Sequence, residues 1–297
     1  MTPEFLLTLF FNGLVVGSIY TLIALGLTLV FGLWEIPNFA HGNIYMISAY
    51  LALVSILMLN NFLVGAVLSI IMTTIIGLVY YILLIRPLRN APEISLLLNI
   101  IGFFFLLYGI ALLIWGPFAR RIPPLLTGYL EIGGAVLSYG KLMVLIVTPL
   151  LIAGLTLFVY KTKPGKSIRA ASQNLERAMT IGINIDRVYL LTFGISSALA
   201  AAAGVLISGI PGQSVDPEMG FIPLIYAFVA VILGGLGSIS GAIVGGYVLG
   251  LIRSFSIGLT GGYLPFIGKG YAEVYALIIF VIILLIRPTG LFGRKLR

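Results

Sequence analysis

The side chains able to do chemistry are few and far apart. A single histidine, His41, lies in Asn38-Phe39-Ala40-His41-Gly42 just after Pro37, and another amide, Asn99, sits inside an apolar stretch. One imidazole cannot build a multi-histidine metal site, and the lack of cysteine excludes disulfides, thiol nucleophiles and cysteine-based metal sites. No Ser/His/Asp arrangement is present, so hydrolysis would have no base except His41. Two readings stay open for these polar residues. Asn38 can cap a helix while His41 hydrogen-bonds across a bundle, or Asn38, His41 and Asn99 can line a solute path or gate.

The carboxylates narrow the chemistry further. Glu4, Glu35, Glu93, Glu131, Glu176, Asp186, Asp216, Glu218 and Glu273 all fall at expected helix ends or in loops. Proton-driven carriers bury ionisable groups along their pathway, so this distribution weighs against that class, although backbone carbonyls could still serve sodium. Gly165-Lys166-Ser167 resembles the end of a phosphate loop, but the pattern needs a glycine where Tyr160 stands. Likewise GGLGSISG at 234–241 does not spell a dinucleotide fingerprint. The chain is expected to hold no nucleotide, cofactor or metal of its own.

The elements that must position these residues are membrane helices. Of 297 residues 60% are hydrophobic and only 9% charged, too few to clothe a water-facing surface. The mean hydropathy of +1.17 agrees. Apolar runs, rather than alternating ten-residue segments, predict an all-α polytopic transmembrane helical bundle, not a β-barrel. Nine candidate crossings are legible: 5–33, 40–60, 62–85, 94–116, 141–160, 186–209, 221–236, 238–257 and 271–287. The stretch 221–257 also reads as a pair of half-helices meeting at Gly234–Gly241, and the segment after Pro37 as re-entrant, so eight to nine crossings are expected. The opening MTPEFLLTLFFNG lacks the basic start and cleavage site of a signal peptide and reads as a retained helix.

Alternating these crossings puts the N-terminus outside and the C-terminus in the cytoplasm. Arg86, Arg89, Lys161, Lys163, Lys166, Arg169, Arg177, Arg187, Arg287, Arg294, Lys295 and Arg297 then lie inside. Arg120, Arg121, Lys141 and Lys269 lie outside, while Arg253 falls near an outer helix end and could snorkel. That asymmetry is the positive-inside pattern. It also accounts for the net charge of +8 through topology and anionic headgroups, with no need of nucleic acid. The whole chain, 1–297, reads as one transmembrane domain.

Its polar landmark is KTKPGKSIRAASQNLERAMTIGI, residues 161–183, within a loop of about 161–185. The second half predicts a short amphipathic helix. Ala170, Leu175, Ala178, Met179 and Ile181–Gly182 form its apolar stripe, with Arg169, Gln173, Glu176 and Arg177 towards the polar side. Such a helix can lie on lipid or dock a soluble partner. Elsewhere Gly237, Gly241 and Gly245 follow a small-xxx-small spacing, repeated one residue out of phase by Gly246 and Gly250, which predicts close helix packing.

Three stretches together resemble one family, the permease subunits of bacterial ABC importers for branched-chain amino acids. They are GLVVGSIYTLIALGLTLVFGL (13–33) leading into NFAHGNIYMISAYLA (38–52), the segment 165–206, and AVILGGLGSISGAIVGGYVLGLI (230–252). Ser48 stands where the family commonly has glycine. The length is similar to that of the smaller of the two permeases in such systems. The resemblance implies a permease without ATPase activity that pairs with a second permease subunit, usually as a heterodimer. It implies two cytoplasmic ATPase subunits docked on the loop and an extracytoplasmic solute-binding protein delivering solute. By family position Gly165, Arg169, Ala170, Asn174, Ala178 and Gly182 are the expected ATPase-coupling residues, joined by Glu176 and Arg177 of the same loop. Aliphatic amino acids are the expected solute. Urea, short amides or another amino acid are the alternatives, and a stand-alone secondary transporter is the more distant one.

Overall fold

The structure is a computed structural model that describes residues 2–34, 36–121 and 127–263, with isolated helical positions at 274, 278, 281, 282 and 285. The crossing expected at 271–287 therefore lies almost entirely outside the described residues. Among those described, seven helices are long and apolar enough to span a membrane.

Helix α1 (Pro3–Trp34) forms the axis of the bundle. Every residue from Gly17 to Val30 is buried, so the helix has no polar face to turn outward. Around it pack α2 (His41–Leu59), α8 (Ile185–Ser208), α9 (Phe221–Gly234) and α10 (Ile239–Tyr263). The run SSALAAAAG makes α8 almost smooth, and Ser48 of α2 donates to the Ala201 carbonyl across that face at 2.7 Å. Ser69 of α3 (Phe62–Tyr80) donates to the Ser48 carbonyl at 2.8 Å, which ties three helices together. In lipid the hydrophobic effect does not drive helices together, so close packing and such hydrogen bonds must do so.

The outer tier comprises α3, α4 (Glu93–Trp115) and α5 (Tyr139–Lys161). After Tyr80 the third helix continues through a wide π-type turn, Tyr81–Ile85, and a 3₁₀ turn, Arg86–Leu88. These helices expose large apolar side chains such as Leu63, Leu98, Leu113 and Leu150. That is the surface a helix presents to acyl chains or to another membrane subunit.

Two pieces close the ends. At one end β2 (Tyr129–Ile132) and β3 (Ala135–Ser138) make an antiparallel hairpin, while β1 (Arg120–Arg121) pairs antiparallel with β4 (Ser214–Val215). At the other end α6 (Lys163–Gln173) and α7 (Leu175–Thr180) project between α5 and α8.

The stretch 221–257 resolves into two helices of unequal length. With 14 residues, α9 is ~21 Å long and too short to cross a core of ~30 Å alone. By contrast α10 is long enough. Both α2 and α9 begin inside the bundle. His41 reaches back along α1 to Gly26, eight residues short of Trp34, so the segment after Pro37 folds back into the bundle. Gly220, just before α9, meets Gly42, just inside α2, and a Cβ on Gly42 would stand 2.6 Å from the Gly220 carbonyl oxygen.

Candidate functional site

The projecting element is built from capping residues. Thr162 accepts from the Gly165 N–H at 3.1 Å to start α6, and Asn174 accepts from the Arg177 N–H at 2.8 Å to start α7. Asn184 does the same for α8 through Arg187 at 3.0 Å. The end of α7 is a Schellman turn: Gly182 at φ +83° donates to the Met179 carbonyl, and Ile183 donates to that of Ala178. A single amphipathic helix was expected over the second half of the loop. Instead two helices meet at Asn174, because its side-chain oxygen competes for the backbone and restarts the helix.

The eight expected coupling residues divide by exposure. Gly165 and Ala178 are buried, and Gly165 sits where any side chain would overlap the Phe158 carbonyl of α5. These two fasten the element to the bundle. Arg169, Asn174, Glu176, Arg177 and Gly182 are exposed, Ala170 half-buried. The apolar stripe is likewise split. Ala178 points inward, whereas Met179 and Ile181 are 50% and 73% exposed and stand beside Glu176 and Arg177 on the open surface. The Arg169 guanidinium lies 4.5 Å from the Tyr160 ring centroid, where a cation–π contact orients it. Beneath it a cavity of about 620 Å³ separates α6 from the α9–α10 turn, with Thr28, Ser172, Gln173 and Gly237 in its lining. Next to this end Asp186 at the start of α8 accepts from both Arg86, at 3.0 Å, and Arg89, and so pins the end of the third helix.

Deeper in the bundle, His41 is fully buried. Its Nε2 would touch a Cβ on Gly26 at 2.6 Å, and its Nδ1 lies 3.5 Å from Ser196 Oγ, which itself donates to the Gly26 carbonyl at 2.9 Å. Asn38 is buried too, but its side chain caps nothing. Ala40 holds the cap position of α2 with an already helical backbone, leaving the Asn38 carbonyl to accept from the His41 N–H at 3.2 Å. Asn99 on α4 has its Oδ1 buried and shares no hydrogen bond with either. The amide that joins α2 to α4 is Asn43, whose Nδ2 donates to the Phe104 carbonyl at 2.6 Å. Periodicity could not single out Asn43, since the residue it meets is 61 positions away.

The glycine series also divides. Gly241 and Gly245 face α9, where added side chains would overlap the Gly234 and Ala230 carbonyls. Gly246 and Gly250 face α1 at Thr21 and Gly17. Gly237 belongs to neither face: it lies in the turn before α10 at φ +77° with open space around it, so it serves the turn and not the packing. Arg253, expected to snorkel from a helix end, lies well inside α10 with its guanidinium 5.6 Å from the Tyr226 ring centroid. Tyr226 in turn stacks on Tyr20 at 4.9 Å.

Long apolar helices around an aliphatic and aromatic core, interrupted helices that start within the bundle, and a capped basic projection at one end together make this a polytopic helical permease. Residues 9–287 match the family described as branched-chain amino acid transport system / permease component, and the chain belongs to that family. It is 37% identical to the high-affinity branched-chain amino acid transport system permease protein BraD of Pseudomonas aeruginosa, over 95% of this chain and 94% of the relative. To the corresponding permease protein LivH of Escherichia coli it is 34% identical, over 99% and 98% respectively. In fold it is similar to PsaBC from Streptococcus pneumoniae solved in complex with Fab, with a TM-score of 0.51 at 14% identity, covering 98% of this chain and 92% of that one.

Proposed function

We propose that this chain is the permease subunit of an inner-membrane ABC importer that translocates branched-chain amino acids. It pairs with a second permease subunit, receives solute from an extracytoplasmic binding protein and is driven by two cytoplasmic ATPase subunits. Hydrolysis belongs to those partners, because no phosphate-binding loop is legible here. The α6–α7 end is cytoplasmic and the hairpin end external, as the clustering of Lys and Arg supports. The N-terminus then lies outside, and of the expected eight to nine crossings it is nine, with α9 and a segment after 263 each counted, that put the C-terminus inside.

The observation that carries this reading is the α6–α7 element itself. A loop that only set topology would need its cations and nothing more. Here both helices are capped, seated on α5 and α8 by Gly165, Ile168, Ala171 and Ala178, and left with Arg169, Glu176, Arg177, Met179 and Ile181 uncovered. A mixed polar and apolar patch on a rigid mount suits protein docking. Motion of the docked ATPase would be passed into the bundle through α5 and α8, whose ends the element joins, and coupling requires such differential contacts in two states.

The test is gentle purification of the tagged chain from its native membranes, followed by solute-stimulated ATP hydrolysis with leucine, urea and sugars. Recovery of an ATPase and a second permease, with hydrolysis rising when a binding protein carries leucine, is the expected result. A chain that purifies alone and still moves solute in vesicles would overturn the reading in favour of a secondary transporter.

A further inference from the structure

We infer that the pocket between α2, α4 and α9 is a binding subsite for a zwitterionic amino acid with a branched aliphatic side chain. The inference rests on the import function proposed above and names where the solute touches this chain. The pocket has a volume of about 380 Å³, towards the lower end of the ~300–1,000 Å³ usual for small-molecule sites. It opens beside the point where α2 and α9 begin inside the bundle, and Asn43, Phe105, Tyr108, Glu218, Phe221 and Ile222 contribute to its lining.

The chemistry of the lining selects the ligand. Asn43 is 2% exposed and donates one of its two Nδ2 hydrogens to the Phe104 carbonyl. One N–H and the acceptor Oδ1 of that side chain remain, and the Oδ1 lies 3.3 Å from where a Cβ on Gly220 would stand. A side chain at 220 would overlap the Gly42 carbonyl first, so glycine there serves the close approach of α2 and α9 that holds Asn43 in place. Glu218 adds an exposed carboxylate at the rim, whereas none of the lining residues is a cation. The Glu218 carboxylate and the Asn43 Oδ1 are acceptors that suit an ammonium group. The phenol of Tyr108 and the second N–H of Asn43 are donors for the ligand's own carboxylate. The rest of the wall is aromatic and aliphatic, which suits a branched hydrocarbon and gives a hydrated polar side chain nothing to bond. Phe105 and Phe221 are 62% and 54% exposed, so the pocket is open on one side. The second permease subunit would complete it.

The experiment uses the complete complex in nanodiscs, without binding protein, and leucine as the probe. Saturation-transfer NMR reads leucine contact directly, and vesicle uptake with the loaded binding protein reads transport. Glu218→Gln removes one charge-assisted partner and should weaken leucine contact roughly tenfold. Ile222→Trp should fill the pocket and reduce isoleucine uptake more than alanine uptake, while subunit co-purification and thermal stability stay at the wild-type level. A transfer signal that is absent in the wild-type complex, or unchanged in Glu218→Gln, would overturn the inference. So would equal loss of alanine and isoleucine uptake in Ile222→Trp. If wild-type ATP hydrolysis ignores leucine-loaded binding protein, the import function itself fails. If hydrolysis responds but both variants behave as wild type, the pocket alone fails.

Discussion

The α6–α7 projection and the α2–α9 junction both interrupt a run of membrane helices, yet they are held by opposite means. In the projection each break is made by a residue acting within three positions of itself: Thr162 on Gly165, Asn174 on Arg177, Asn184 on Arg187, Gly182 closing α7. At the junction the breaks depend on residues far apart in sequence. Gly42 lies against Gly220, His41 against Gly26 and Ser196, Asn43 against the Phe104 carbonyl. A locally capped element can move as a unit without losing its shape, which suits a part that transmits force. A junction made of backbone contacts between distant segments changes shape only when those segments move, which suits a part that opens and closes.

The comparison can be broken most sharply at the projection. Arg169→Glu with Arg177→Glu reverses two exposed charges that no salt bridge among the described residues uses. Uptake should fall to background while membrane insertion and yield stay normal, measured by vesicle transport and membrane immunoblot. Unchanged uptake would remove the projection from the mechanism. Gly241→Leu comes next. A side chain there overlaps the Gly234 backbone, which cannot swing away as a side-chain end could. Overpacking of this sort costs ~1–3 kcal/mol or more, and detergent melting should show a clear drop in folded yield and Tm. Normal melting would show that α9 can shift independently of α10.

Smaller effects sharpen the contrast. Asn174→Ala should destabilise α7 by ~1 kcal/mol, the usual worth of an N-cap. Hydrogen exchange should speed up in residues 175–181 and leave the α2–α9 junction unchanged. Spread of that effect into α2 would mean that the two regions are one cooperative unit. Asp186→Asn is the mildest. The pair with Arg86 and Arg89 is half exposed, so its loss should cost less than ~1 kcal/mol and shrink further in salt. A large loss of uptake without loss of stability would instead make this clamp part of the coupling route.

Much of this could be read from the residues in order. The membrane class followed from too few charges to cover a soluble surface, and the basic loop from its cations between two apolar runs. The Thr, Asn and Gly caps of that loop are local signals as well, although Asn174 reads as a surface residue until the helix is seen to restart there. The glycine spacing at 237–250 reads as two series one residue out of phase. A period of four cannot say which neighbour a residue faces: the first series meets α9 and the second α1, while Gly237 drops out into the turn. Arg253 looked terminal because the helix boundary was drawn too early, and α10 in fact runs on to Tyr263.

By itself the sequence determined the solvent in which this chain folds, the approximate extent of its apolar helices and the place of its polar projection. Each of these depends on composition or on neighbours within one helical turn. Only the tertiary structure decided that α2 and α9 start inside the bundle, that His41 is packed against Gly26, and that Asn43 rather than Asn99 reaches across to another helix. The physical reason is that in lipid one apolar helix face is as well solvated as another. Pairing is then decided by close approach and by a few hydrogen bonds between residues dozens of positions apart, which no local pattern encodes.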